Sequence, residues 1–250
     1  MKSEAGRPGL LRELLLIAIL YSGYRFGRLS ANGHVERAHR NAGDVTRLER
    51  FLHLPTESSV QNLLLHSEPL TKAANAFYAG VHFPATIAFL IFMFWRHPVH
   101  YVWIRRVLTV LTLGGLIGHV LVPLAPPRML GLLDTGRVFG PTVYGDPDPH
   151  SLANQYAAMP SLHIGWALVV AIGMIAVLNS RWKWLWLAYP TTTLLVVVAT
   201  ANHYWLDGMV VTVLLVLSLA LVPAPGRPWS MPALRDREQF APTLAAGRGR

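Results

Sequence analysis

Six mainly apolar stretches constrain this chain more than any other feature. A helix crossing a hydrocarbon core needs about 20 such residues, because it rises only about 1.5 Å per residue. Asn75 to Trp95, Tyr101 to Val122, Leu162 to Leu178, Trp184 to Ala201 and Tyr204 to Val222 are the strong candidates. Leu10 to Leu29 is weaker, since Arg12, Glu13, Arg25 and Arg28 shorten its apolar centre. A cleaved signal peptide competes for that stretch, but no small-x-small site follows the apolar run, which favours a retained helix. The expected fold is all-α: a polytopic membrane protein, a six-transmembrane-helix bundle with an interfacial helix after the first span. The segment Asp44 to Leu65 is amphipathic, too polar to span, and fits that interfacial position.

Composition agrees. Only 14% of the 250 residues are charged and 52% are hydrophobic, where a soluble domain carries about 25% charged residues. One membrane-embedded domain over residues 1–222 is expected, followed by a disordered cytoplasmic tail over residues 223–250, rich in Pro, Ala, Gly and Arg. There is no cysteine, which excludes disulfides and thiolate metal sites. The net charge of +9 lies beside apolar spans rather than in a polar stripe. It therefore reads as attraction to anionic lipid, and no nucleic acid partner is expected. Arginine far outnumbers lysine, which occurs only at Lys2, Lys72 and Lys183, a bias that accompanies bacterial GC-rich genomes.

Orientation follows from basic residues in short connections. Arg96, Arg105 and Arg106, then Arg181 and Lys183, then the tail arginines fall on one side, which the positive-inside bias makes cytoplasmic. Arg25 to Arg50 oppose it, but in a long segment interleaved with acidic residues. The expected location is the plasma (cytoplasmic) membrane, multi-pass, with both termini cytoplasmic. Arg128, His163 and His203 then converge on the extracytoplasmic face, beside an outer loop from Gly131 to Ala158.

Those residues carry chemistry. His203 and Asp207 are four apart, so on a helix they share a face, and the carboxylate can orient the imidazole and stabilise it when cationic. Ser161 is a good N-cap for the span that begins at His163, and free N–H groups at a helix start suit an anion such as phosphate. Arg128, after Pro126 and Pro127, supplies a fork that matches phosphate oxygens. The set gives a nucleophile (His203), its orienting acid (Asp207), a proton donor (His163) and phosphate-binding groups (Arg128, Ser161). It suits phosphoryl transfer through a phosphohistidine, with no metal and no cofactor.

The motifs Pro160-Ser-Leu-His163 and His203-x-x-x-Asp207 resemble those of the type-2 phosphatidic acid phosphatase superfamily. The fuller strings Ala125-Pro-Pro-Arg128, Ala158-Met-Pro-Ser-Leu-His163 and Ala201-Asn-His-Tyr-Trp-Leu-Asp207 more closely resemble its inositolphosphotransferase branch, the inositol phosphorylceramide synthase-like proteins. The resemblance implies a six-helix bundle, an extracytoplasmic site, a phospholipid or other lipid-phosphate substrate, and the roles given above. Two cations of the superfamily pattern are missing: Leu121 stands where its first motif has Lys, and Val197 where its third has Arg. Met129 and Val196 replace its Pro and Ser. A site short of cations should favour a phosphodiester monoanion over a phosphomonoester dianion, and hence a transferase.

Two rivals remain at this point. One is a metal-dependent membrane enzyme using His119, His163, His203 and Asp207; the other is a non-enzymatic transporter or scaffold. His119 is expected to bond a neighbouring helix. Trp95, Trp103, Trp182, Trp184 and Trp186 are expected to form a cytoplasmic aromatic belt, with Tyr204 and Trp205 as its outer counterpart. Gly114, Gly115 and Gly118 read as a close-packing face, while hydrolase or transferase, donor, acceptor and oligomeric state are not legible.

Overall fold

The computed structural model describes residues 35–142 and 155–226, together with residues 8–13, 15, 16, 18, 19 and 22. Much of the expected first span, residues 143–154 of the expected outer loop and the expected tail beyond residue 226 lie outside the described residues. Among the described residues the fold is all-helical, and a single isolated bridge pairs Leu124 with Ala157 in parallel.

The amphipathic segment forms two helices. Helix α1 (Val35–Phe51) buries Ala38, Ala42, Val45 and Glu49, one side chain per turn. Pro55 ends the run, and Thr56 Oγ1 caps α2 (Glu57–Leu65) by accepting from Ser59 N at 3.3 Å. Ser67 caps α3 (Glu68–Gly80) in the same way. The expected span from Asn75 to Trp95 is broken at Val81, where α3 and α4 (His82–Arg96) meet at 48°. Pro84 explains the break. It offers no N–H to Gly80 O four residues earlier, and its ring crowds that carbonyl.

Helix α5 (Pro98–Leu121) has 24 residues and, among the described residues, is the one helix long and apolar enough to cross a membrane; the bent α3–α4 pair would make a second. A short helix α6 (Thr135–Phe139) follows, capped by Asp134. Helices α7 (Leu162–Val177) and α9 (Trp205–Leu221) occupy the places of expected spans but run 16 and 17 residues. The expected span from Trp184 shortens to α8 (Ala188–Ala199), because Arg181–Leu187 winds as a 3-10 helix.

Helix α7 is the axis, packed against α4, α5, α8 and α9. Small residues permit this. A Cβ on Gly165 would lie 2.6 Å from Val211 Cγ2, and one on Gly115 would lie 2.6 Å from Leu162 Cδ2, so the expected small-residue face of α5 does seat the start of α7. The apolar core runs through Met93, Ile104, Val107, Leu111, Val169, Val198 and Val211. Outward, α4, α5 and α9 expose Ile87, Ile91, Leu113, Ile117, Val213 and Val216, an apolar surface of the kind that marks contact with lipid or protein. Trp95, Trp182, Trp184 and Trp186 are exposed, whereas Trp103 is buried and donates its indole N–H to Val222 O at 2.9 Å. Trp103 therefore leaves the expected belt, drawn inward by a carbonyl at the end of α9.

Candidate active site

The end of the bundle near Arg128 is stitched by backbone. After α5 the chain extends through Pro123 to Pro126 and turns at Pro127–Met129. Leu124 N donates to Tyr156 O at 2.7 Å, Ala125 N to Ala38 O at 3.2 Å, and Arg128 N to Ala201 O at 2.9 Å. Tyr204 does not face outward as an aromatic belt residue. Its ring is buried and its hydroxyl donates to Ala125 O at 2.9 Å, closing the same seam. A second buried cluster, with Ala38, Ala42, Leu124, Ala158, Tyr204 and Leu206, fills the space behind.

His203 sits in the loop before α9, and Asp207 in that helix's first turn. His203 Nδ1 lies 3.0 Å from Asp207 Oδ2 and 2.9 Å from Ala158 O. Both neighbours are acceptors, so Nδ1 must carry the proton, and Nε2 keeps a lone pair whenever the ring is neutral. Asp207 is completely buried, and its Oδ2 also accepts from Tyr204 N at 2.9 Å, which fixes the carboxylate against the helix start. The pair thus has the geometry of an imidazole oriented by an acid.

A cleft of about 570 Å³, counted to its open mouth, lies over this pair. His82, His119, Arg128, Gln155, His163, Trp166, Asn202 and His203 line it. The His163 ring stands 5.9 Å from that of His203, centroid to centroid. Tyr78 packs on His163 at 4.9 Å and His82 at 4.6 Å, and His82 in turn stacks on Trp166 at 5.6 Å. Arg128 is nearly buried, with Nη1 donating to Asn202 Oδ1 at 2.9 Å and Nη2 to Gln155 Oε1 at 3.3 Å, while Nε lies 3.5 Å from Asp134 Oδ2. Asn202 is itself held by Thr200 Oγ1 at 2.9 Å. The guanidinium is a fixed positive wall, aimed by two neutral amides and by the Asp134 carboxylate, which offsets part of its charge.

Four expected site residues, Arg128, His163, His203 and Asp207, are therefore neighbours. Ser161 differs. It occupies the N-cap position of α7, but its hydroxyl makes no cap bond, and it is fully buried outside the lining of the cleft. Its N–H donates to Asp207 O at 3.3 Å, which turns this peptide toward α9 rather than toward the cleft. His119 Nε2 lies 3.0 Å from Pro160 O, a contact to a neighbouring segment, and the ring also borders the cleft. Among the described residues, no three histidine or carboxylate side chains converge as a ligand set for a metal ion.

Sequence reasoning missed His82, Gln155 and Trp166. His82 could have been found as a solitary imidazole inside an apolar span, on the edge that carries the other histidines; Gln155 and Trp166 give no such signal.

A sequence model of the PAP2 superfamily matches residues 43–221, and the chain belongs to that superfamily, whose members are phosphatases and phosphotransferases. No curated protein and no solved structure shows significant similarity to the chain.

Proposed function

We propose that this chain is an integral membrane lipid phosphotransferase or phosphatase that works through a phosphohistidine on His203. The observation that carries the reading is the pinned Nδ1 of His203, which directs Nε2 toward a cleft walled by Arg128 and His163. In the first step Nε2 attacks phosphorus, the bond to the leaving oxygen breaks, and His163 gives that oxygen its proton. Asp207 offsets the charge of the imidazolium so formed, and Arg128 holds the non-bridging oxygens. In the second step an entering water or alcohol gives its proton to His163 and attacks phosphorus, releasing neutral His203. No step calls for a metal or cofactor.

The substrate we favour is a phosphodiester lipid, and the branch is that of the inositolphosphotransferases. Leu121 and Val197 stand where the superfamily pattern has cations, and Val197 is 1% exposed, a poor place for a charge. Six spans, cytoplasmic termini, an extracytoplasmic site and a bacterial plasma membrane remain part of the proposal. The apolar outer faces of α4, α5 and α9 support membrane embedding.

The test uses detergent-purified protein: wild type beside His203→Ala, given phosphatidate, lipid pyrophosphate, phosphatidylinositol, ceramide and inositol in oxygen-18 water. Labelled phosphate or phosphoalcohol from wild type alone identifies a hydrolase, and unlabelled phosphoinositol on a second alcohol identifies a transferase. Turnover surviving in His203→Ala would sink the mechanism, and faster turnover of phosphatidate than of phosphatidylinositol would sink the phosphodiester preference.

A further inference from the structure

Glu49 and Glu57 are buried acids that the mechanism does not use. Glu49 belongs to the last turns of α1 and is 4% exposed; Glu57 opens α2 and is 7% exposed. Glu49 Oε1 accepts from Leu206 N at 2.8 Å. Leu206 is the second residue of α9, so its N–H has no partner within the helix. The N-cap residue Tyr204 offers no side-chain cap of its own. The cap comes instead from another helix, one residue before Asp207.

The remaining oxygens define the protonation state. Glu49 Oε2 and Glu57 Oε1 are both buried and neither meets a hydrogen-bond donor. The Glu49 and Glu57 side chains interact directly; two ionised carboxylates there would repel, whereas one proton shared between the pair satisfies both. Burial, and then the neighbouring Glu57, push the Glu49 carboxyl up to about 8. The groups that bear on it are Glu57 from α2 and Asp207 and Tyr204 from α9, while Arg47 and Arg50 lie on the exposed side of α1.

We propose that the Glu49–Glu57 pair, sharing one proton, is a positioning clamp for the site: it caps the first turn of α9 and so holds Asp207, and through it His203, in place. The clamp rests on the reading of His203 as nucleophile. Glu49 is a positioning residue and touches no substrate. Loss of the shared proton would set Glu49 and Glu57 in repulsion beside Asp207 and loosen the turn.

The sign of the pH effect is fixed. The folded protein holds a proton on Glu49 that the unfolded chain releases above about pH 4.5. Stability from this group is therefore full at low pH, declines as pH rises toward 8, and levels off above it.

Glu49→Gln, Glu57→Gln and Glu49→Ala, compared with wild type in detergent, test the clamp by thermal midpoint at pH 5 to 9 and by turnover. The turnover probe is bis(p-nitrophenyl) phosphate together with the lipid panel above. A glutamine keeps an acceptor for Leu206 N and supplies a fixed donor to the facing acid. Both glutamine variants should gain midpoint over wild type progressively from pH 5 to 8. Glu49→Gln should keep kcat within about threefold at pH 7, and its ratio to wild type should climb between pH 7 and 9. Glu49→Ala leaves Leu206 N and Glu57 without their partner and should lose about tenfold or more in kcat with KM little changed. A glutamine variant as impaired as alanine, or a midpoint difference independent of pH, would overturn the clamp. Wild type inert on every phosphate ester overturns the proposed function instead, and the midpoint comparison still decides whether the pair shares a proton.

Discussion

The middle of the bundle and its site-bearing end are held by different means. Around Ile104, Val107, Leu111, Val169, Val198 and Val211 the contacts are apolar and without direction. At the other end Asn41, Gln61, Asn75 and Tyr204 each donate a hydrogen bond to the backbone of a distant segment, and Glu49 accepts one from Leu206 N. Apolar packing tolerates replacement by similar volumes, whereas a bond to one particular carbonyl or N–H has no substitute. The contrast teaches that stability and site geometry are separable here, each lodged mainly in its own half.

Substitutions can break that separation. The largest effect belongs to Asp207→Asn, which keeps the shape but removes the charge and the fixed acceptor of His203. It should lower kcat by a factor on the order of 10³ to 10⁴, by the logic of an acid that orients and charges its histidine, while the thermal midpoint barely moves. Next comes Leu111→Ala, which opens a cavity beside Gly165. It should lose about 2–3 kcal/mol in chemical denaturation yet keep kcat within about threefold. The smallest is Asn75→Ala. Asn75 Nδ2 donates to Thr135 O at 2.8 Å and Gly140 O at 3.1 Å, and its loss should lower stability by about 1–2 kcal/mol. Because α6 adjoins the Asp134 contact to Arg128, KM should rise more than kcat falls. Equal kcat losses in Asp207→Asn and Leu111→Ala would abolish the distinction.

Much of this was legible in the residues. Helices α5, α7 and α9 followed from apolar runs, and the closeness of His203 and Asp207 was legible too, although His203 meets the carboxylate from the loop before α9 rather than from a shared helix face. What escaped was non-local. The break at Val81 was readable from Pro84, but its outcome, His82 turned into the cleft, depends on α7 lying opposite. Tyr204 and Trp103 read as aromatic belt residues because their partners, Ala125 O and Val222 O, are distant in sequence. Ser161 had the chemistry of a cap, and only the approach of Asp207 O decided where its peptide faced. Nothing within α1 announces that Leu206 N lies above Glu49.

The parallel bridge between Leu124 and Ala157 has an evolutionary consequence. Leu124 N to Tyr156 O and Ala158 N to Leu124 O join two segments of chain that are about thirty residues apart in sequence. Arg128 and His163 lie just beyond the two sides of that bridge. The bridge thus sets the spacing of these reactive groups whatever length of sequence separates its two sides, as a chuck holds a tool, so selection on that spacing leaves that length free.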